Sequence, residues 1–164
     1  MTIEIRPTPF DDPTARRIVA DALADLAARY GGSGDDTPVD AAEFAPPDGG
    51  FLIAWVDGEP AGCGGWRTRA GDAAVAEIKR MYTAPAYRGR GVASAVLRAI
   101  EESARAAGRR RLVLETGRKQ PEAIALYAKV GYERIPNFGY YRDYPDCVSF
   151  GRDLISTRSV GFER

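Results

Sequence analysis

The chain has 164 residues, 45% of them hydrophobic, with 23 basic and 23 acidic side chains, which suits a single domain without net charge. It contains no histidine, which excludes histidine-based triads, imidazole acid–base catalysis and most zinc sites. The two cysteines fit neither a disulfide framework nor metal-ligand spacing, and no run approaches the roughly 18 apolar residues of a membrane helix. The segment "MTIEIRPTPF" lacks the pattern of a secretory signal. We therefore expect one cytoplasmic domain over residues 1–164, with no metal and no membrane contact.

The charges are unevenly distributed along the chain. Residues 1–72 hold 6 basic and 13 acidic side chains, whereas residues 73–164 hold 17 basic and 10 acidic ones. This favours a second half that binds an anion, although charge that varies along solvated faces explains it equally well.

The first half predicts a strand, a helix and an antiparallel meander. Ile3 and Ile5 alternate with polar residues, and a helix then runs from Pro13 to the glycines at 31 and 32. Residues 31–50 form a loop with one short helical turn around Asp40–Phe44. Three strands follow, the first two joined by the hairpin turn "DGEP" and the last being "AAVAEIKRMYT".

The second half predicts two helices and three strands. After the sequence "YRGRG", apolar residues recur at helical spacing: Ala93, Val96, Leu97, Ile100, Ala104 and Ala107. Glu101 and Arg105, one turn apart, are expected to form an ion pair. A buried strand "RRRLVLET", a helix from Glu122 to Lys129 and two strands in the aromatic tail complete the order. This alternation predicts an α/β or α+β fold with a central sheet.

The glycines in "YRGRG" precede a helix start, where backbone N–H groups lack intrahelical partners and the helix dipole is positive. Gly89 and Gly91 would let an anion approach the backbone closely, and Arg88 and Arg90 would attract it. The loop therefore predicts a phosphate site, although a solvated glycine-rich loop has the same local pattern. It lacks both the Lys-Ser/Thr ending of a Walker A motif and the three glycines of dinucleotide folds.

The segment "RGRGVA" fits the pattern Arg/Gln-x-x-Gly-x-Gly/Ala and resembles the pyrophosphate loop of the GNAT superfamily of acyl-CoA-dependent N-acyltransferases. The segments "RMYTAPAYRGRG", "PEAIALYAKVGY" and "GGFLIAWVDGEPAGCGGWR" are similar to other parts of that family. The resemblance is strong from Phe51 to Tyr132, weaker in the tail, and limited to layout in the first helix and loop. It implies a mixed, mostly antiparallel sheet of about six to seven strands, splayed in the middle and flanked by about four helices.

The resemblance also implies an activity and a coenzyme site. The enzyme would move an acetyl group from acetyl-CoA to a primary amine by direct attack in a ternary complex. Backbone groups of Met81 and Thr83 would bind the pantetheine arm, and Gln120 stands where the family often has asparagine. The pyrophosphate would be held by the backbone of seven consecutive residues: Arg88, Gly89, Arg90, Gly91, Val92, Ala93 and Ser94.

Two catalytic residues are implied in the same way. Glu77 matches a family glutamate that acts as the base, and Tyr127 matches the tyrosine that donates a proton to the leaving thiolate. Glu115, at the end of "LVLE", is the alternative base. Pairing with Lys79 or Arg80 would explain Glu77 structurally, and core packing would explain Tyr127. A backbone N–H near Met81 would stabilise developing negative charge on the thioester oxygen.

The acceptor is left open between a small amine and a protein amine. An aromatic cluster is expected to wall its site or to pack on the sheet: Tyr132, Tyr140, Tyr141, Tyr144 and Phe138. Aspartates of the long loop would attract a cationic amine or simply be solvated: Asp35, Asp36, Asp40 and Asp48. The acidic loop slightly favours a small molecule.

Two other function classes compete. A non-catalytic acyl-CoA-binding module would keep the loop without needing Glu77 or Tyr127. Nucleic-acid binding through residues 109–111 is disfavoured because that run has only three charges in a neutral chain. The acyl length and the oligomeric state are not determined, and a homodimer stays open.

Overall fold

The computed structural model describes residues 1–154, so residues 155–164 of the predicted domain lie outside the described part. The sheet has seven strands: β1 (Ile3–Pro7), β2 (Gly49–Val56), β3 (Glu59–Arg69), β4 (Asp72–Thr83), β5 (Arg111–Gly117), β6 (Glu133–Ile135) and β7 (Cys147–Asp153). Three α-helices flank it: α1 (Pro13–Tyr30), α2 (Val92–Ala106) and α3 (Pro121–Lys129). The predicted mixed, mostly antiparallel sheet is confirmed.

The number of helices is slightly lower than the expected number of about four. The described residues contain three α-helices and two short 3₁₀ segments, Ala41–Phe44 and Pro85–Tyr87. Asp40 caps the first of these segments through a capping box with Glu43, as expected for a helical turn at this place. The surrounding loop is rich in glycine, proline and aspartate, which oppose a longer helix.

The strand order is β1-β2-β3-β4-β5-β7-β6, and only β4 and β5 are parallel to each other. These two strands pair at three positions, Val75 with Arg111, Ala76 with Leu112 and Glu77 with Val113. Beyond them β4 continues to Thr83, paired with β3, and β5 continues to Gly117, paired with β7, but the two strands no longer pair with each other. The sheet is therefore splayed in the middle, and the gap opens towards the carboxyl ends of both strands.

Each face of the sheet has its own apolar cluster. The larger cluster lies beneath α2 and α3 and includes Trp66, Ile78 and Leu112. The smaller lies beneath α1 and the long loop and includes Ile18, Phe44 and Cys63. We call these the α2 face and the α1 face.

A β-bulge interrupts the pairing of β3 with β4. Gly65 pairs with Lys79 and Cys63 with Tyr82, so Gly64 lies opposite both Arg80 and Met81. Arg80 has a φ of 62°, in the left-handed region that non-glycine residues rarely adopt. Because a bulge breaks the alternation of side chains, Lys79 and Arg80 both contact Asp35 on the α1 face.

The expected ion pair of Glu101 with Arg105 is wrong. Glu101 is buried and accepts hydrogen bonds from the Tyr132 hydroxyl at 2.8 Å and from Arg152 at 3.1 Å. Arg105 contacts the exposed Glu102 instead, at 3.1 Å. The partner of Glu101 is decided by tertiary packing, because burial requires its charge to be satisfied by groups from other elements.

No helix among the described residues has the length and apolar character needed to cross a bilayer.

Glycines on β3 allow α2 to pack closely against the sheet. A Cβ on Gly64 would lie 2.5 Å from the Met81 sulfur and 2.9 Å from Ile100 Cδ1. We predict that Gly64→Ala lowers the free energy of unfolding by about 1–3 kcal/mol, because overpacking forces these groups apart. Denaturant titration measures the loss. Gly151→Ala is the matched control, since its Cβ would mainly displace the flexible end of Arg111. Equal losses in both variants would contradict the prediction.

Candidate active site

The loop between β4 and α2 is shaped by two glycines in left-handed conformations. Gly89 has a φ of 77° and Gly91, the N-cap residue of α2, has a φ of 83°. Apart from the adjoining residues of the chain, no heavy atom of residues 1–154 lies within 4 Å of a Cβ built at either position. The loop therefore needs glycine here for its backbone conformation, and the space beside both residues is open.

The start of α2 presents unpaired backbone donors. Among residues 1–154, the N–H groups of residues 89–94 donate no hydrogen bond. The first backbone hydrogen bond at the start of α2 is donated by the Ala95 N–H to the Gly91 carbonyl, at 3.1 Å. Gly91 supplies no side-chain cap. A row of free N–H groups at the positive end of a helix is suited to bind a pyrophosphate.

A cavity of about 570 Å³ extends from these donors to the gap between β4 and β5. Nine of the ten predicted coenzyme-binding residues line it: Met81, Thr83, Arg88, Gly89, Gly91, Val92, Ala93, Ser94 and Gln120. The tenth, Arg90, lies outside this lining, with its guanidinium carbon 5.9 Å from the centroid of the Tyr87 ring. We call this space the donor cavity.

The side chain of Arg88 is already engaged by the protein. Its Nε donates to the Thr83 carbonyl at 3.0 Å, and its Nη2 lies 3.4 Å from an Asp25 oxygen on α1. These contacts fix the loop against β4 and α1. The backbone amides, rather than this guanidinium, are therefore the free donors of the loop.

A second cavity, of about 340 Å³, lies on the other side of the gap. Its walls come from the end of α1, the loop at 31–36, strands β4 and β5, and residues 141–147. Four residues line both cavities: Met81, Gln120, Ala123 and Tyr127. The two spaces therefore meet where β4 and β5 separate. We call the second one the acceptor cavity.

Tyr127 lies at this junction. It is 4% exposed, and its ring packs against those of Tyr132 and Phe150, with centroids 5.5 and 5.9 Å away. Burial raises the pKa of Tyr127 well above its ordinary value. Its hydroxyl therefore keeps its proton at neutral pH and can donate it.

The two candidate bases have different surroundings. Glu77 is buried, accepts a hydrogen bond from Arg67 Nε at 3.1 Å and lines neither cavity. Glu115 lines the acceptor cavity and accepts from the Tyr141 backbone N–H at 3.2 Å through one oxygen. Its other oxygen is buried and has no hydrogen-bond partner among residues 1–154. Of the two, Glu115 is the carboxylate that lines a cavity and has an oxygen without a hydrogen-bond partner among residues 1–154.

Gln120 is positioned from two sides. It is the N-cap residue of α3, and its side-chain oxygen accepts from the Tyr30 hydroxyl of α1 at 3.2 Å. Arg29 of α1 also donates to the Lys119 carbonyl at 2.9 Å. The end of α1 is thereby fixed against the start of α3, beside the junction of the cavities.

Comparison with known proteins agrees with this geometry. Residues 20–132 match the model of the acetyltransferase (GNAT) family. The chain is 40% identical over 111 residues to the IAA acetyltransferase of Azospirillum brasilense, covering 68% of this chain and 71% of the relative. It is 33% identical over 130 residues to the uncharacterised N-acetyltransferase YjgM of Escherichia coli strain K12, covering 76% and 78%.

The chain belongs to the GNAT acetyltransferase family. A protein of Klebsiella pneumoniae subsp. pneumoniae MGH 78578, assigned as an acyl-CoA N-acyltransferase, superposes with a TM-score of 0.77 at 27% identity, covering 94% of this chain and 99% of that one. The chain is therefore an acyltransferase, and its fold implies acetyl-CoA as the co-substrate. The free amides at residues 89–94 fit the pyrophosphate of that molecule.

The aromatic cluster of the tail is divided between several places. Tyr141 and Tyr144 line the acceptor cavity of the acetyltransferase, whereas Tyr140 is 47% exposed outside it. Tyr132 is buried and donates a hydrogen bond to Glu101. The ring of Phe138 lies under Arg69, whose guanidinium carbon is 4.6 Å from the ring centroid. Only two of the five residues are therefore available to an acceptor.

The aspartates of the long loop also differ in their contacts. Asp35 is paired with Arg80 at 2.6 Å and with Lys79 at 3.7 Å, and it accepts from the Tyr141 hydroxyl at 3.0 Å. Burial opposes its charge, but Lys79 and Arg80 outweigh that effect and lower the pKa of Asp35. Asp40 caps the 3₁₀ segment. Asp35 is thus already neutralised by two cations, which sequence reasoning missed because only the bulge brings both cations to its side.

We predict that Gly91→Glu weakens coenzyme A binding about 10-fold or more. The substitution disfavours the left-handed turn, and the new carboxylate repels the negatively charged pyrophosphate. Isothermal titration calorimetry measures the affinity. Gly58→Glu is the matched control, because Gly58 has a φ of 86° and an equally open Cβ position at a hairpin tip. Both variants lose about 1–2 kcal/mol of stability from backbone strain. Unchanged coenzyme affinity in Gly91→Glu would rule out the loop as the pyrophosphate site.

Proposed function

We propose that this acetyltransferase moves the acetyl group of acetyl-CoA to a primary amine of a small molecule by direct attack in a ternary complex. The observation that supports this most is the meeting of the donor and acceptor cavities at Tyr127, in the gap between β4 and β5. An acceptor cavity of about 340 Å³ suits a small ligand. The co-substrate, when bound, supplies the acetyl thioester.

The acceptor amine needs a base. A lysine-like amine is neutral in only about one molecule in 10³ at pH 7. We assign the proton to Glu115 Oε1, which has no hydrogen-bond partner among residues 1–154, while Oε2 of the same carboxylate accepts from the Tyr141 backbone N–H and contacts the Cys147 thiol. Glu77 is the less favoured base, because its contact with Arg67 lies away from both cavities.

Tyr127 is assigned as the acid that supplies a proton to the leaving sulfur, since it lines both cavities and retains its proton. A backbone N–H at the bulge near Met81 is assigned to stabilise charge on the carbonyl oxygen. Met81, Thr83 and Gln120, on the lining of the donor cavity, are assigned to the pantetheine arm.

Direct attack is favoured over an acyl-enzyme by the state of both cysteines. Cys63 is buried outside both cavities, and burial raises the pKa of its thiol far above the ordinary value. Cys147 lines the acceptor cavity, but burial and the neighbouring Glu115 raise its pKa to about 11. Neither thiol is ionised at neutral pH, so neither is an activated nucleophile.

We predict that Tyr127→Phe lowers kcat about 10²-fold or more while coenzyme A affinity is retained, because only proton donation is lost. Amine-dependent release of free thiol from acetyl-CoA, measured with a panel of amines, gives kcat, and calorimetry gives the affinity. Tyr140→Phe is the control, as this exposed tyrosine lines neither cavity. A kcat of Tyr127→Phe equal to that of the unmodified enzyme would remove Tyr127 from the acid role. The absence of amine-dependent thiol release with every amine would overturn the proposed function.

Glu115→Gln and Glu77→Gln separate the two candidate bases. We predict that Glu115→Gln lowers kcat/KM about 10²-fold at pH 7 and that the rate recovers as pH rises, because the amine then loses its proton to solvent. Glu77→Gln should reduce stability through the lost contact with Arg67 and leave the shape of the pH–rate profile unchanged. A profile altered only in Glu77→Gln would assign the base to Glu77 instead.

A further inference from the structure

The acceptor cavity contains a buried guanidinium with an unused hydrogen-bonding edge. The side chain of Arg80 is 4% exposed, and its Nη1 is paired with Asp35 at 2.6 Å. Its Nε is buried without a hydrogen-bond partner among residues 1–154, and Nη2 makes no hydrogen bond to these residues either. Nε and Nη2 form the edge of a guanidinium that binds a carboxylate through two parallel hydrogen bonds.

This guanidinium is placed by the bulge in β4. In a regular strand Lys79 and Arg80 would point to opposite faces, but here both contact Asp35 on the α1 face. Arg80 keeps the left-handed backbone that this requires, with a φ of 62°. Strained backbone of this kind is concentrated at ligand-binding and catalytic sites.

The contacts around Asp35 leave the outer edge of Arg80 without a carboxylate among residues 1–154. Two cations, Lys79 and Arg80, are opposed by the single carboxylate of Asp35. Asp35 also accepts hydrogen bonds from the Thr37 backbone N–H, the Thr37 hydroxyl and the Tyr141 hydroxyl, so both of its oxygens already have partners. The other charged groups lining the cavity are Glu115, Asp36, Lys119 and Asp146, and of these Asp36 and Lys119 are exposed to solvent.

We propose that the acceptor is an amino acid, whose carboxylate binds the Nε and Nη2 edge of Arg80 while its amine faces Glu115. A molecule with one negative and one positive group matches a cavity with an unpaired cationic edge and a free carboxylate oxygen. Arg80 is then the specificity-determining residue. This inference rests on the proposed transfer to a small amine and adds the class of that amine.

The first test uses the unmodified enzyme. Thiol release from acetyl-CoA is measured with the common amino acids, with their methyl esters and with simple alkylamines. The ester of a preferred amino acid should react with a kcat/KM about 10- to 100-fold lower, because a charge-assisted pair is lost. Esterification also makes the amine easier to deprotonate, so amine ionisation cannot cause the decrease.

The outcomes distinguish the two proposals. Equal rates for acids, esters and alkylamines would overturn the carboxylate inference and leave the amine acetyltransferase standing. No amine-dependent release with any of these compounds would overturn the proposed function itself, and the inference with it.

The second test uses Arg80→Gln, with Arg111→Gln as the control. Arg111 pairs with Asp153 at the far end of β5 and lines neither cavity. In Arg80→Gln the ratio of kcat/KM for the amino acid to kcat/KM for its methyl ester should fall to about one. In Arg111→Gln this ratio should stay as in the unmodified enzyme. A purely structural role of Arg80 would lower both rates equally and keep the ratio, which would overturn the inference. Circular dichroism checks that both variants are folded.

Discussion

The early separation of β4 and β5 is the central structural constraint in this acetyltransferase. The two strands pair at three positions and then diverge, which leaves unpaired backbone in the middle of the sheet. Unpaired backbone groups there are available to an extended ligand in the way that a sheet edge is. The same gap joins the donor and acceptor cavities, so the two spaces are continuous without a channel through a packed core.

The two sides of the gap present different chemical groups. On the donor side the free groups are backbone amides at the start of α2, and Arg88 is already engaged by Thr83 and Asp25. On the acceptor side the free groups belong to side chains, an oxygen of Glu115 and the outer edge of Arg80. Main-chain donors suit a group present in every acyl-CoA, whereas side chains can differ between enzymes that share this fold.

Much of the fold was predictable because its signals are local. The helix boundaries follow proline at Pro13 and Pro121 and glycine at Gly31, and the hairpin follows Asp57-Gly58, whose φ angles of 50° and 86° match a type I′ turn. The prediction of a splayed sheet and the predicted coenzyme-binding residues came from the resemblance to the family. The number of helices was overestimated, since the long loop contains only one 3₁₀ turn.

Local patterns in the chain specified the helices, the hairpin and the glycine turn ahead of α2, because turn chemistry, helix starts and left-handed glycines act over a few neighbouring residues. The charged groups that line the acceptor cavity became identifiable only once distant elements were packed together. The spacing of residues gave no sign that Arg80 shares a face with Lys79, because a bulge shifts the alternation that such a prediction assumes. The buried pairing of Glu77 with Arg67 and the free oxygen of Glu115 likewise depend on residues far apart in the chain.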